Sequence, residues 1–252
     1  MSQGRSIRHQ TALHALDFER CRRSAHHFIF DSGVLITKDE QIIEGVTGET
    51  EKVFPDRPNL RVVLDCLLIS GNFIAPDSAK YARAYGYDLE FLEQLYFTRL
   101  FFLEKSRDLM ATWICLAYIH WRCKFHPNQL VLVQSKKEED AAALVYTKEP
   151  NQARISFMES KLPRHMQTLT FPKAGSYCHV FYPNGSHAWA IPEGGHIIRS
   201  HHPSLIFSDE AAFQMEFGNA YTAARPAMMN GGQYVAISTA EPGEFQALVE
   251  AA

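Results

Sequence analysis

The residues best suited to chemistry are two adjacent carboxylates, Asp209 and Glu210, which end the apolar run at residues 205–208. A continuously apolar run of this length indicates a buried strand, and its C-terminal tip would present the acidic pair. At such a tip one carboxylate can hold Mg²⁺ while its neighbour activates a water molecule for attack on a phosphoryl group. Because an apolar strand followed by two acids is a common pattern, its meaning depends on the segments around it.

A candidate phosphate loop lies upstream, between an apolar strand at residues 100–103 and an apolar helix. Backbone N–H groups at such a strand-to-helix junction favour phosphate. In the usual loop, G-x-x-x-x-G-K-[ST], Lys105 and Thr112 would occupy the first and eighth positions, but Met110 and Ala111 replace the second glycine and the lysine. A lysine at the first position can still bring its charge to the phosphates on a flexible stem, and Thr112 can offer a hydroxyl to Mg²⁺. A polar turn that caps a buried helix is the alternative interpretation.

Composition limits the class of protein. Of the 252 residues, 46% are hydrophobic and 21% are charged, which is typical of a globular protein with a substantial core. This length suits one α/β domain, with or without a small N-terminal appendage. The formal net charge is −3, so no global basic field attracts nucleic acid. Residues 151–204 are locally basic, which indicates either a solvated face or a surface that meets a polyanion.

The cysteines and histidines do not form a recognisable metal or disulfide pattern. The five cysteines are scattered without a C-x-x-C pair, which favours reduced thiols over a disulfide framework or a zinc knuckle. The adjacent pairs His26-His27 and His201-His202 are not expected to share a metal, because neighbours on a strand point to opposite faces. The polar N-terminus lacks the apolar segment of a signal peptide, and no apolar run is long enough to cross a membrane. We therefore expect a cytoplasmic protein.

The order of elements predicts an α/β fold with a central, mainly parallel sheet flanked by helices. Four continuously apolar segments are expected to be its strands, at residues 100–103, 130–133, 205–208 and 234–237. Helices are expected between the first strands, at residues 111–122 and 136–145. Two further strands, at residues 177–182 and 186–191, flank a Pro-Asn-Gly turn and are expected to form a hairpin.

The N-terminal part has a mixed pattern. Residues 2–10 are polar and expected to be frayed. Further segments are predicted as a helix at residues 12–23, a strand at 27–30, an irregular stretch at 39–57 and a helix at 60–69. We expect this part to be a lead-in that packs on the main fold.

Together these segments resemble the ATPase domain of the large terminase subunit, the DNA-packaging motor of tailed bacteriophages. Some members of that family carry the loop lysine at the start of the loop, in runs that resemble residues 105–113. The resemblance continues through residues 131–136 with the acidic helix after them, 197–200, 206–213, and 237–240, which resemble the family's coupling motif. It covers residues 100–244 and implies a P-loop NTPase fold.

The resemblance also implies cofactors and roles. The cofactors would be ATP and Mg²⁺, and the nucleotide would be bound by Lys105, Ser106, Arg107, Asp108, Leu109, Met110, Ala111 and Thr112. Thr112 and Asp209 would hold Mg²⁺, directly or through water. Glu210 would polarise the attacking water. Ser238 and Thr239 would sense the γ-phosphate and couple its loss to movement.

Arg199 stands where some family members place an arginine that acts on a neighbouring subunit's nucleotide. A surface arginine, or one paired with an acid of its own fold, is the alternative. The loop departs from the family because it has no glycine, and only glycine adopts a positive φ at little cost. We therefore expect a distorted backbone cradle, or one that opens only when nucleotide binds.

By this resemblance the chain would be a motor domain that drives double-stranded DNA into a procapsid. Its partners would be the portal protein and the small terminase subunit, and it would form a homo-oligomeric ring on the portal. Residues 1–90 would be the lead-in and residues 91–252 the ATPase core, with the C-terminal nuclease domain absent and no nuclease activity. The alternatives are a helicase-like, nucleic-acid-dependent ATPase and a degenerate P-loop scaffold that does not hydrolyse ATP.

Overall fold

The structure is a computed structural model that describes residues 2–43, 46–76, 88–106, 109–147, 152–168 and 178–251. Its strands are β1 (Ile36–Ile43), β2 (Val46–Val53), β3 (Leu100–Glu104), β4 (Leu130–Gln134), β5 (His179–Phe181), β6 (His187–Ile191), β7 (Leu205–Asp209) and β8 (Gln233–Ser238). Its α-helices are α1 (Ser2–Arg23), α2 (Pro58–Ser70), α3 (Leu89–Thr98), α4 (Ala111–Phe125), α5 (Glu138–Val145), α6 (Arg154–Lys161), α7 (His196–Arg199), α8 (Phe217–Met229) and α9 (Glu244–Glu250). Within this part of the chain, no helix is both long and apolar enough to cross a membrane.

The main sheet has six strands in the order β3-β8-β7-β4-β6-β5. The pairs β3–β8, β8–β7, β7–β4 and β4–β6 are parallel, and β5 pairs antiparallel with β6 at one edge. The predicted α/β class with a mainly parallel sheet is therefore confirmed, and so is the predicted hairpin of β5 and β6.

The two faces of the sheet bury two separate sets of apolar side chains. Along β7, Leu205 and Phe207 belong to one core cluster, whereas Ile206 between them belongs to the other. This alternation follows from the period of two in a strand. Every residue of β7 and β8 is buried, which explains why these strands lack polar alternation in the sequence. Burial on both faces is typical of a parallel sheet covered by helices.

The strand order places three carboxyl-terminal strand ends side by side. β8 lies between β3 and β7, with Glu104 opposite Ser238 and Asp209 opposite Ile237. The segments that follow these three strands therefore begin at the same edge of the sheet. In open α/β sheets this carboxyl edge is where ligands bind.

Two predictions for the N-terminal part are wrong. Residues 27–30 do not form a strand; a π-helix, His27–Asp31, buries Phe28, Ile29 and Phe30. A short apolar run does not by itself distinguish a buried strand from a buried helical turn. Residues 39–57 are not wholly irregular, because β1 and β2 form an antiparallel hairpin that pairs from Ile36 with Val53 to Ile43 with Val46. Its ladder is made by the backbone and does not require alternating apolar side chains.

The predicted helices are confirmed, with small changes in their bounds except that α1 begins ten residues before the predicted start, so the prediction of a frayed N-terminus is wrong. The segment expected to fray, residues 2–10, is part of α1. Helix α2 begins at Pro58. Proline suits this position because the first N–H of a helix has no partner within the helix, so its absence costs no hydrogen bond. Phe28 and Leu64 of the lead-in share one core cluster with Val131 of the sheet. The division into a lead-in and a core at residue 90 stays a prediction.

Candidate active site

A cleft of about 860 Å³ opens at the carboxyl edge of the sheet, next to β3, β7 and β8. Most of the residues predicted from the sequence to bind nucleotide or metal line it, namely Lys105, Ser106, Leu109, Met110, Ala111, Thr112, Asp209, Glu210 and Thr239. Arg107 and Asp108 lie outside the described residues. The structure therefore brings together segments that are far apart in the chain.

Both the backbone and the side chain of Lys105 are fixed by contacts within the site. Its backbone N–H donates to the carbonyl oxygen of Ser238 (2.8 Å), which extends the pairing of β3 with β8 by one residue. Its ammonium Nζ lies 2.9 Å from Glu210 Oε1. The Lys105 side chain is 9% exposed and that of Glu210 is 37% exposed, so the pair lies at the inner wall of the cleft with the carboxylate on its solvent side. The cation is thus positioned where a phosphate could compete for it.

Thr112 and Asp209 form the second polar pair of the cleft. The Thr112 hydroxyl donates to Asp209 Oδ1 (2.9 Å). Burial raises the pKa of Asp209 to about 6, against the opposing effects of the Arg154 charge and the Thr112 hydrogen bond. A buried carboxylate beside a hydroxyl is a donor set that fits Mg²⁺, which takes one or two protein oxygens and completes its shell with water and phosphate. The residues present therefore fit the predicted metal.

Glu210 has an unusual backbone that is supported by its neighbours. Its φ is 50°, in the left-handed region that non-glycine residues seldom adopt. The Ser238 hydroxyl accepts a hydrogen bond from the Ala212 N–H (3.1 Å) and donates to Glu210 Oε2 at 3.5 Å. Such backbone conformations persist where the surroundings enforce them, often at functional sites. Ser238 therefore helps to direct the Glu210 carboxylate into the cleft.

Met110, near the end of the glycine-free loop, adopts a conformation for which glycine is normally used. Met110 is the N-cap of α4 and has a φ of 56°, and its carbonyl oxygen accepts from the Ile114 N–H (3.0 Å). In the usual loop pattern this position is the second glycine. A left-handed conformation costs a non-glycine residue about 1–2 kcal/mol. The missing glycine thus does not prevent the turn that begins α4.

Arg199 does not line this cleft. It is the last residue of α7, a four-residue helix in the connection from β6 to β7, and it is exposed. Within its own subunit the structure therefore gives Arg199 no place beside the acidic pair. A role at the nucleotide of a neighbouring subunit stays a prediction.

Sequence reasoning missed several residues of the cleft wall, namely Lys38, Trp113, Ser135, Asp140, Gln152, Arg154 and Phe213. Arg154 is the most consequential of them, because its charge lowers the pKa of Asp209 and its guanidinium lies 5.3 Å from the ring centroid of Trp113. It belongs to the locally basic stretch noticed in the sequence, but nothing in its spacing points to the cleft. Lys38 is contributed by β1, whose later residues belong to the stretch that was expected to be irregular.

Comparisons with known proteins find likeness at the level of structure only. No protein-family model and no curated protein matches the sequence. The large terminase ATPase domain of Thermus phage P74-26 aligns with 59% of this chain and 62% of its own length, at 12% identity and a TM-score of 0.44. The large terminase of bacteriophage HK97 aligns with 60% of this chain and 32% of its own length, at 19% identity and a TM-score of 0.42.

A large terminase from a thermophilic bacteriophage in complex with ADP aligns with 55% of this chain and 33% of its own length, at 11% identity and a TM-score of 0.38. In each of these three structures the match spans less than two thirds of the other chain. At such identities and TM-scores the likeness does not assign an activity, which has to be inferred from the side chains of the cleft. The resemblance suggested by the motifs is nevertheless also found among solved structures: the chain is similar to the ATPase domains of phage large terminases.

Proposed function

We propose that this chain is an ATPase domain that hydrolyses ATP in the cleft at the carboxyl edge of its sheet. One observation carries the proposal: the Lys105–Glu210 and Thr112–Asp209 pairs, each with polar atoms 2.9 Å apart, lie in the same cleft. A cation for phosphate, a hydroxyl and carboxylate for a metal, and a second carboxylate for water are the parts that phosphoryl transfer requires.

Each part would have one role. Lys105, together with the backbone N–H groups at the start of the 15-residue helix α4, would bind the β- and γ-phosphates. Thr112 and Asp209 would hold Mg²⁺, which neutralises charge on the phosphate oxygens when bound. Glu210 would orient the attacking water and accept its proton.

The ion pair also gives the site a resting state. While Glu210 accepts a hydrogen bond from Lys105, its carboxylate is occupied by that cation. Phosphate would draw Lys105 away and leave Glu210 free to contact water. Ser238 contacts Glu210 through its hydroxyl and Lys105 through its carbonyl oxygen. Loss of the γ-phosphate would therefore change the contacts of Ser238, which belongs to β8, an inner strand of the sheet.

The motif resemblance leads us to propose a wider role. The domain would drive double-stranded DNA into a procapsid as a homo-oligomeric ring on a portal protein, with a small terminase subunit as a further partner. This would take place in the cytoplasm of a bacterial host cell. A helicase-like ATPase and a non-hydrolysing scaffold are the outcomes that the next experiment separates from it.

The test is phosphate release from ATP with and without Mg²⁺, combined with calorimetric nucleotide binding. Glu210→Gln should lower turnover by about 10²-fold or more while ATP still binds, since it removes the proposed general base and keeps Thr112 and Asp209, the residues proposed to hold Mg²⁺. Glu90→Gln is the matched control, because Glu90 is exposed at the start of α3 and does not line the cleft. Binding without hydrolysis by the parent chain, both alone and assembled with DNA and a portal, would instead support the scaffold. Hydrolysis stimulated by any nucleic acid but not by a portal would support the helicase-like alternative.

A further inference from the structure

Outside the cleft, three side chains with metal-binding atoms meet where α1 is followed by the π-helix. A carboxylate oxygen of Asp17, the sulfur of Cys21 and a ring nitrogen of His27 all lie within 4.8 Å of one another. None of the three residues lines the cleft. Because all three offer atoms that commonly ligate metal ions, we call this group the Asp-Cys-His cluster.

The local backbone explains why these residues meet. Asp17 and Cys21 are four residues apart on α1, so they lie on one face of the helix. His27 begins the π-helix, a rare element that is frequent at functional sites. The side chains of the adjacent histidines lie near different acids: His26 Nε2 is 3.1 Å from Asp65 Oδ1, whereas His27 Nε2 is 3.8 Å from Asp17 Oδ1. The expectation that adjacent histidines do not share a metal concerns the pair, so it does not exclude a site that uses His27 without His26.

Two of the three ligand atoms of the cluster are closed off from solvent. His27 Nε2 is closed off from solvent and makes no hydrogen bond with any described residue, since 3.8 Å to Asp17 is too long for one. The Cys21 side chain is fully buried, and its carbonyl oxygen accepts from Trp121 Nε1 (2.9 Å), which fixes it against α4. A buried ring nitrogen without a partner is uncommon in folded proteins and calls for an explanation.

We propose that the Asp-Cys-His cluster binds a zinc ion, with Asp17 Oδ1, Cys21 Sγ and His27 Nε2 as its ligands. Thiolate and imidazole ligands favour Zn²⁺ over Mg²⁺ or Ca²⁺. Zinc ligands lie about 2.0–2.3 Å from the ion, so the three atoms would draw together slightly around it. The fourth position of the tetrahedron would be taken by water.

A second group of residues would hold the carboxylate in place. His165 Nε2 lies 3.7 Å from Asp17 Oδ2, the oxygen that the metal would leave free. The His165 ring stacks on that of His14 with centroids 4.0 Å apart. Ligating carboxylates are commonly oriented in this way by a further partner. His165 is thus a positioning residue, and it connects the cluster to the turn that follows α6.

Bound zinc would join three segments that are separate in sequence: α1, the π-helix and, through His165, the turn after α6. Exposed residues dominate the part of α1 from Thr11 to Leu16, so packing alone holds that part of the helix weakly. The expected consequence is zinc-dependent stability of the N-terminal region, independent of nucleotide.

The first experiment uses Co²⁺ as a spectroscopic probe on the full chain. One equivalent should give the sulfur-to-cobalt charge-transfer absorption and the intense visible bands of a tetrahedral thiolate site. Cys21→Ser should abolish the charge-transfer band, and His27→Gln should weaken Co²⁺ binding by at least about tenfold. The controls are Cys66→Ser, another buried thiol, and His202→Gln, an exposed histidine; both should keep the spectrum.

The second experiment measures thermal unfolding with Zn²⁺ and with a chelator. At Zn²⁺ concentrations about 100 times the dissociation constant, the unfolding midpoint should rise by about 5–10 °C. If Cys21→Ser fails to fold, Asp17→Asn serves instead, because Asp17 is partly exposed, with 37% of its side chain accessible. A folded parent protein without the charge-transfer band, or Zn²⁺ stabilisation that survives in His27→Gln and Asp17→Asn, would overturn the proposal.

Discussion

The Lys105 ammonium lies 2.9 Å from Glu210 Oε1, so the residue proposed to bind phosphate is paired with the residue proposed to activate water. The two are 105 positions apart in the chain and meet because β8 aligns the ends of β3 and β7. The pairing would make the two proposed functions interdependent, because a phosphate that attracts Lys105 would also release Glu210. In a site where the lysine and the carboxylate were not paired, phosphate binding would not change the contacts of the carboxylate.

The first prediction concerns ATP affinity in Glu210→Gln. Removing the carboxylate charge frees Lys105 for phosphate, so ATP should bind about 2–5 times more tightly, as expected for a partly exposed ion pair that contributes up to about 1 kcal/mol. Isothermal titration in Mg²⁺ measures the affinity, with Glu90→Gln as the control. Weaker binding by Glu210→Gln would show that Lys105 and Glu210 do not compete in this way.

The second prediction concerns Lys105 itself. Lys105→Ala should weaken ATP binding by about tenfold or more, because a charge-assisted hydrogen bond to phosphate is lost. Lys137→Ala is the control and should bind like the parent, since Lys137 is exposed and does not line the cleft. Lys136 lines the cleft and is unsuitable as a control. Equal affinity of Lys105→Ala and Lys137→Ala would exclude Lys105 as the phosphate lysine.

The third prediction follows from the pKa of Asp209, which burial raises from 3.8 to about 6. Between these values the folded protein keeps a proton that the unfolded chain has lost, so stability decreases as pH rises through this window. Above pH 6 the folded state carries a buried charge. In metal-free buffer at pH 7, the free energy of unfolding of Asp209→Asn should therefore be higher than that of the parent by roughly 1–3 kcal/mol.

The same variant should lose the stabilisation that Mg²⁺ and ATP are expected to give the parent, because a proposed Mg²⁺ ligand has been removed. Urea unfolding at pH 7 and below pH 3.8 measures the effect, and the difference between the two proteins should vanish at the lower pH, where both states of Asp209 are protonated. A destabilised Asp209→Asn at pH 7 would contradict this account.

Strands β4, β7 and β8 were predictable because each contains a continuously apolar run that is buried on both faces. Strand β3 has such a run as well, although it lies at an edge of the sheet and is only partly buried. The acidic pair could be predicted because it lies at the end of the apolar strand β7. Thr112 could be predicted because it lies at the start of the apolar helix α4. Arg154 could not, since it reaches the cleft from α6 and its contact with Trp113 depends on how α6 packs against α4. The π-helix at His27 was missed because three consecutive apolar residues carry no period.

The fourth prediction tests strain at Met110. Its φ of 56° is a conformation that glycine adopts without penalty. Met110→Gly and Met110→Ala lose similar packing, but only the alanine variant keeps the left-handed strain. Met110→Gly should therefore be more stable than Met110→Ala by about 1 kcal/mol. Chemical denaturation of both variants provides the measurement; equal stabilities would mean that the turn relaxes in the absence of the methionine side chain.

The last prediction separates the two arginines. Arg154 lines the cleft of its own subunit, whereas Arg199 is exposed and does not. An arginine that acts on a neighbouring subunit stabilises charge in the transition state and adds little to ground-state binding in its own site. Arg199→Ala should therefore keep its ATP affinity but lose the rate increase of about 10³-fold that we expect on assembly.

Mixing variants provides the decisive comparison. In assemblies of Arg199→Ala with Glu210→Gln, some sites combine an intact Glu210 with an intact Arg199 from the next subunit, so activity should partly return. In assemblies of Lys105→Ala with Glu210→Gln, every site lacks one of two residues that are proposed to act in the same subunit, so no activity should return. If mixed assemblies form and neither mixture hydrolyses ATP, Arg199 does not act across the subunit boundary.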